Sequence, residues 1–360
     1  MAKAKVIENL DCEAEALSGI RLVLYTRFGE MYDLRGAALD FTDIEGVHDM
    51  RVASRRLRSA IKDFRVYFGG KKSVPKRGLK EVADALGDVR DQDVAIVALE
   101  KMRAEAEADA EVAGGVAAGI GHLADERRAL RQAVRVKLAF KLAERPLADL
   151  RSKFLSRLVK PEDDTSAAGG AGSKRRRESK RGVSFREAGR EVIGARVVEL
   201  KKLSNCLHHP SQNDPLHRMR IAAKRLRYAM ELFAPCWGGT LTTLAQEVSE
   251  LQSSLGELHD CDVWIDDLGA RLDRKGSGYA DGWAGAPGTR EQTRRAAVWL
   301  LSHFTKERSK HFREALARWE EWETTGFFAQ LDSILNEAGE TTSVSVAAVD
   351  QEASSTHAAG

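Results

Sequence analysis

The sequence predicts an all-α protein arranged as two tandem four-helix bundles, on three observations. Helix-favouring Ala, Leu, Glu and Arg are abundant, only seven prolines occur, and runs of β-branched residues are few. Apolar residues recur at helical spacing through four long segments in each half of the chain, with short connections, which makes a bundle the default. The third observation is an internal duplication. Residues 47–68, VHDMRVASRRLRSAIKDFRVYF, return as residues 216–237, LHRMRIAAKRLRYAMELFAPCW. An offset of 169 residues carries His48 onto His217, Arg51 onto Arg220, Arg55 onto Lys224, Arg56 onto Arg225 and Arg58 onto Arg227. Without a gap it also carries Arg21, Arg27 and Glu30 onto Arg190, Arg196 and Glu199. Downstream it carries Leu86-Gly87 and Asp91-x-Asp93 onto Leu255-Gly256 and Asp260-x-Asp262.

The first half, residues 1–159, opens with a helix from about Cys12 to Ala38 through Leu17, Ile20, Leu24, Phe28 and Met31. Asp40 to Gly46 interrupts it and leads into the His48 helix, which Gly69-Gly70 is expected to cap. A third helix starts near Pro75, with a seam of Leu79, Val82, Leu86, Val89 and Val94. The fourth runs from about Val116 to Leu158, with a bend expected at Pro146. Residues 160–182 lose all apolar periodicity and read as a flexible linker, whose run 174–181 is expected to be a solvated basic stretch, with recruitment of a long polyanion as the alternative. The second half, residues 183–336, repeats the plan. A helix from Ser184 to Cys206 is followed by one N-capped by Asp214 with Pro215 in its first turn. A third runs from about Leu241, and a last long one from about Glu291 to Thr324 follows a Gly/Pro-rich loop at 273–290. Residues 337–360 read as a disordered tail.

Hydrophobic content is 43%, and no apolar run approaches a membrane span. The N-terminal stretch lacks the apolar core of a secretory signal. Net charge is only +3 although Lys and Arg number 57, so the cations matter through where they gather. Cys12, Cys206, Cys236 and Cys261 show no CxxC or metal-knuckle spacing and read as free thiols of a reducing compartment.

On a helix, at about 100° per residue, His48, Arg51, Arg55 and Arg58 fall within a sector of roughly 80°. Met50, Ala53, Leu57, Ala60, Ile61 and Phe64 cluster on the opposite side. The repeat sets His217, Arg220, Lys224 and Arg227 against Met219, Ala222, Leu226, Ala229, Met230 and Phe233. A solvated helix face ordinarily mixes Glu and Lys four apart, so that the charges offset one another. These sectors contain no carboxylate, and their cations repel until an anion is supplied. Arg predominates, and its planar fork suits bidentate contact with phosphate. Both sectors are therefore candidate anion sites. Arg56 and Arg225, at the flank, are placed equally well to extend the surface or to pair with carboxylates.

Asp91, Asp93, Asp260 and Asp262 invite a magnesium or calcium reading, but Asp-x-Asp on a helix does not put both carboxylates on one face. Their expected role is to pair with arginines of neighbouring helices and fix those rotamers. His48 and His217 are read as hydrogen-bond donors to phosphate, since each stands among arginines with no second His or Cys at ligand spacing. Arg90 and His259, just before the aspartates, are secondary candidates, with Arg21 and Arg190 of the opening helices. No metal and no cofactor are expected. The sequence does not decide whether Arg127, Arg128, Arg131 and Arg135, or Lys306, Arg308, Lys310 and Arg313, reach the same site.

The motif His-x-x-Arg-x-x-x-Arg/Lys-Arg-Leu-Arg thus occurs twice, each time followed by Leu-Gly-x-x-Arg/His-Asp-x-Asp. In this the chain resembles the CHAD family, the conserved histidine α-helical domain, over about residues 11–330. The resemblance implies two four-helix bundles related by a pseudo-twofold axis around a basic central cavity that binds inorganic polyphosphate. Carried over, the binding residues are His48, Arg51, Arg55 and Arg58 with His217, Arg220, Lys224 and Arg227. Two departures stand out: Lys224 replaces an arginine, and His259 takes the position of Arg90. The resemblance further implies a cytoplasmic protein associated with polyphosphate granules and with granule proteins.

Three function classes compete: a polyphosphate-binding module without chemistry, a metal-dependent polyphosphate or triphosphate hydrolase, and a phosphate-backbone nucleic-acid binder. A polyphosphate chain is a nucleic-acid backbone stripped of bases, held by counterion release and charge-assisted hydrogen bonds. The hydrolase reading needs carboxylates converging on phosphate. CHAD domains are often fused to triphosphate-tunnel enzymes marked by Glu-x-Glu-x-Lys, and Glu105-Ala-Glu107-Ala-Asp109 lacks the lysine. There is no P-loop. Nucleic-acid binding would call for aromatics among the cations, and the sectors hold none. The expectation is a non-catalytic polyphosphate binder that engages neither membrane nor nucleic acid.

Overall fold

The computed structural model describes residues 4–68, 75–109, 113–158, 182–273 and 287–337, and these are all-α. The first half forms α1 (Ala16–Asp33), α2 (Arg35–Leu39), α3 (Ile44–Asp63), α4 (Lys76–Ala108), α5 (Ala113–Lys141) and α6 (Glu144–Leu158). The second forms α7 (Phe185–Lys201), α8 (Asn213–Phe233), α9 (Gly238–Asp273), α10 (Pro287–Thr325) and α11 (Phe327–Asn336). The sole extended pairing among the described residues is one antiparallel bridge, Glu15 to Ser184. The Gly69-Gly70 cap, all but the last residue of the linker, most of the 273–290 loop and the tail beyond 337 lie outside the described residues.

Local chemistry explains most boundaries. The Asp43 side chain accepts from Glu45 N at 2.8 Å and starts α3. Ser184 and Glu187 form a capping box that starts α7. Asp214 is corrected from N-cap to first-turn residue: α8 begins at Asn213, and the acid acts there on the helix dipole. The expected fourth helix is two, α5 and α6, broken at 142–143 with Pro146 in the first turn of α6. Gly326, at φ +72°, ends α10 and turns the chain into α11, which the sequence reading did not anticipate.

The apolar faces do not sort into one core per half. A large cluster joins Ile20, Leu24, Met50, Leu57 and Leu86 of the first half to Ile193, Met219, Leu226, Met230 and Leu255 of the second. Phe64, Phe185 and Phe233 meet at this junction, with ring centroids 4.8–6.3 Å apart. A second cluster ties Leu99, Met102, Ile120 and Leu123 of α4 and α5 to Leu268, Leu300 and Phe304 of α9 and α10. Here α5 approaches α10 so closely that a Cβ on Gly119 would run into the Gln292 carbonyl and lie 2.8 Å from Ala296 Cβ.

The expectation of four free thiols is corrected. Cys12 and Cys236 form a disulfide with Cα atoms 5.5 Å apart, whereas Cys206 and Cys261 are free and buried. A separation of 224 residues carries no pairing signal in a linear sequence, and the partners meet only because the two halves fold together. The inference of a reducing compartment therefore loses its basis.

Candidate anion-binding site

The cationic helices α3 and α8 bring charges from both halves into one another's field. Lys224 of α8 lies among Arg51 and Arg55 of α3 and Arg220 and Arg225 of its own helix. Burial, then these positive charges in turn, push its ammonium down to about 7. Arg55 and Arg220 are likewise lowered, first by burial, with Arg227 of α8 also lowering Arg55 and Arg55 of α3 also lowering Arg220. Arg55 leaves its Nε buried without a hydrogen-bond partner among the described residues. A cluster of this kind holds together only with an anion or with some of its charge removed.

The arginines that follow the histidines lie over glycine. Arg51 Nε would sit 3.9 Å from a Cβ on Gly87, and Arg220 Nε 3.7 Å from one on Gly256. This assigns a role to the Leu-Gly motif: it leaves the α4 and α9 surfaces bare where a guanidinium crosses. Arg51 then reaches Asp91 at 3.1 Å.

The remaining candidates divide. Arg58 is exposed. Its repeat partner Arg227 is buried, with Nε donating to Gln252 Oε1 at 2.9 Å and Nη1 to Glu231 at 2.7 Å, and its guanidinium over the Tyr228 ring. The structure therefore separates two residues that the repeat had placed as equals. Arg56 pairs with Glu30 at 3.6 Å and Arg225 with Glu199, so both point to carboxylates of the opening helices. Arg190 is drawn away, donating from Nε to Leu335 O at 2.7 Å, and Arg21 on α1 keeps a buried Nε with no partner among the described residues. Arg90 stands 3.8 Å from Glu45 and beside His48, whose imidazole is lowered by burial and then by Arg90.

His217 Nδ1 lies 3.2 Å from His259 Nδ1. No second histidine stands at ligand spacing in the sequence; the neighbour is 42 residues away on another helix, where no spacing rule looks. Burial and then the His217 ring bring His259 to about 4, and burial followed by Arg220 lowers His217, so both rings are neutral at pH 7. Each carries one N–H, and one of the two is spent in the hydrogen bond between the rings, leaving the other to donate outward.

Asp91 and Asp93 point in different directions, as their spacing requires. Asp93 is buried and faces α5, 3.3 Å from Arg131 and 3.9 Å from Arg135. Asp262 is buried and accepts from Arg308 of α10 at 2.5 Å. Asp260 is exposed, and Arg220 is the strongest positive charge acting on it. The fourth-helix cations thus have partners of their own, including Arg127 on Asp267, Arg128 on Glu100 and Asp125, Lys310 on Glu307, and Arg313 on Ser309 O. Lys306 is exposed.

Sequence reasoning missed two acids. Asp84 and Asp88 join Asp91, Arg51, Arg55 and Arg58 around a groove of about 320 Å³. A helical-wheel projection of α4 could have found them, since 84, 88 and 91 share a face. Glu45, His48 and Asp49 bring three potential ligand atoms within 4.8 Å of one another, with Arg90 beside Glu45. No helix among the described residues is long and apolar enough to cross a membrane.

A family model described as the CHAD domain matches residues 28–269. The crystal structure of the CHAD domain from the plant Ricinus communis is similar in fold, with a TM-score of 0.62 at 19% sequence identity, covering 88% of this chain and 96% of that one. No curated protein resembles the chain closely enough to register as a match. With the family model spanning well over half of its length and the same fold in a solved relative, the chain belongs to the CHAD-domain family.

Proposed function

We propose that the chain binds inorganic polyphosphate at the meeting of α3 and α8, as a module without chemistry of its own. The observation that carries this reading is the convergence of Arg51, Arg55, Arg220 and Lys224 from the two halves, with Lys224 held to about 7 by burial and by the other three. Such mutual repulsion is relieved by an extended anion that touches all four, and a phosphate polymer offers charge along its length without bases to be stacked. His48 and His217 contribute neutral N–H donors at either side. Arg227, Arg56 and Arg225, which already have carboxylate partners, position the helices. The chain would accompany polyphosphate wherever the polymer accumulates, including the cytoplasmic granule and its proteins.

The test is titration of long-chain polyphosphate and of single-stranded DNA of matched charge into the full chain at two salt concentrations. Polyphosphate should bind tightly and more weakly in high salt, and DNA weakly. Arg51→Ala/Arg220→Ala should lose at least about thirtyfold in polyphosphate affinity. Equal affinity for both polymers, or an indifferent double variant, would return the two faces to ordinary solvated helix surface.

A further inference from the structure

Arg51, Arg55 and Arg58 stand at i, i+4 and i+7 on α3, and Asp84, Asp88 and Asp91 stand at the same spacing on α4. The two ladders line the same groove. If the aspartates served only to neutralise the arginines, the ladders would close as ion pairs rung by rung. Only Arg51 and Asp91 join, at 3.1 Å, among the described residues. Asp84 turns instead to Lys80 of its own helix at 2.6 Å, and about 320 Å³ of space remains between the walls. All three aspartates are exposed, and like charges at this spacing repel. On the opposite wall Arg55 keeps a buried, unbonded Nε. Neither wall is fully neutralised: Asp88 has no ion pair among the described residues, and Arg55 has none on the other side. An anion alone satisfies the arginines and aggravates the aspartates, and a cation alone does the reverse.

We infer that the groove takes phosphate and a divalent cation together, with phosphoryl oxygens against the arginine ladder and a hydrated magnesium ion against the aspartates. This rests on the polyphosphate reading and specifies the form of the polymer bound, its magnesium salt. Magnesium dehydrates reluctantly and is typically held by one or two carboxylates plus phosphate oxygens, keeping several waters. The α4 ladder supplies the carboxylates, the polymer supplies the phosphates, and the gap has room for bridging water.

The sign of the magnesium effect decides the matter. At a purely basic site magnesium competes with arginine for phosphate and weakens binding. Polyphosphate would be titrated into the full chain, first with divalent ions removed and then with magnesium at constant ionic strength. The unaltered protein should bind about tenfold more tightly with magnesium. Asp84→Asn/Asp88→Asn should bind the magnesium-free polymer at least as well, because two repelling charges are gone, and magnesium should now weaken its binding. Both positions are exposed, and a thermal melt matching the unaltered protein shows that the fold is kept. Equal weakening by magnesium in both proteins overturns this inference and leaves the polyphosphate reading standing. Failure of the unaltered protein to bind the polymer in either condition overturns that reading, and the inference with it.

Discussion

Lys224 concentrates the energetics of the site in one side chain. Its ordinary value is 10.5 and its folded value about 7, so between those limits the unfolded chain binds a proton that the folded chain does not. Stability of the ligand-free protein should therefore rise with pH from about 7 to 10.5 through this group, by a few kcal/mol in all. Bound polyphosphate would reverse the sign, since its charge pulls the lysine back towards protonation. Binding then takes up protons, and affinity should fall as pH rises from 7 to 9, a range above that in which His217 and His259 titrate. Calorimetric titration in buffers of different ionisation enthalpy measures the uptake, and Lys224→Arg should abolish it while preserving affinity at pH 7. Much at this scale was legible beforehand: the repeat and the wheel pick out the residues that converge. What they do not report is the company each residue keeps. Arg58 and Arg227 are identical on the wheel, and only the approach of Gln252 and the one-turn reach to Glu231 make the second a buried tie within the protein.

Helices were the most legible elements, because periodicity and caps are local. The break at 142–143 escaped because Pro146 lies beyond it, inside the next helix, and α11 escaped although Gly326 stands at its start. Closest approach is a property of pairs of helices. Gly119 lets α5 settle on α10, with Gln292 and Ala296 where a side chain would stand. Gly119→Ala gains in helix propensity, yet overpacking should outweigh that gain and destabilise the protein by about 1–3 kcal/mol. Urea unfolding with an unchanged m value would measure it. Gly29, with nothing near its Cβ position, is the control: Gly29→Ala should be neutral or stabilising.

At the scale of the molecule, the duplication visible in the sequence does not produce two independent bodies. Corresponding contacts do recur at the same offset, Arg27–Glu30 with Arg196–Glu199 and Arg56–Glu30 with Arg225–Glu199. Yet Asp63 of α3 crosses to Arg196 of α7, and the aromatic junction is built from both halves. A wheel drawn for one helix shows an apolar face without saying whose face will cover it, which is why a shared core was not foreseen. The Cys12–Cys236 disulfide adds a covalent tie across this junction. By loop-closure entropy it should contribute about 5 kcal/mol, so unfolding in reductant should shift to markedly lower urea. Its consequence is topological as well. The bond makes a closed ring of the chain from residue 12 to residue 236, with the final helices as a single strand leaving it. A protease that cuts once anywhere inside the ring, including within residues 159–181, opens the loop without dividing the molecule. The nicked protein should migrate as one covalent species until it is reduced, and as two fragments afterwards.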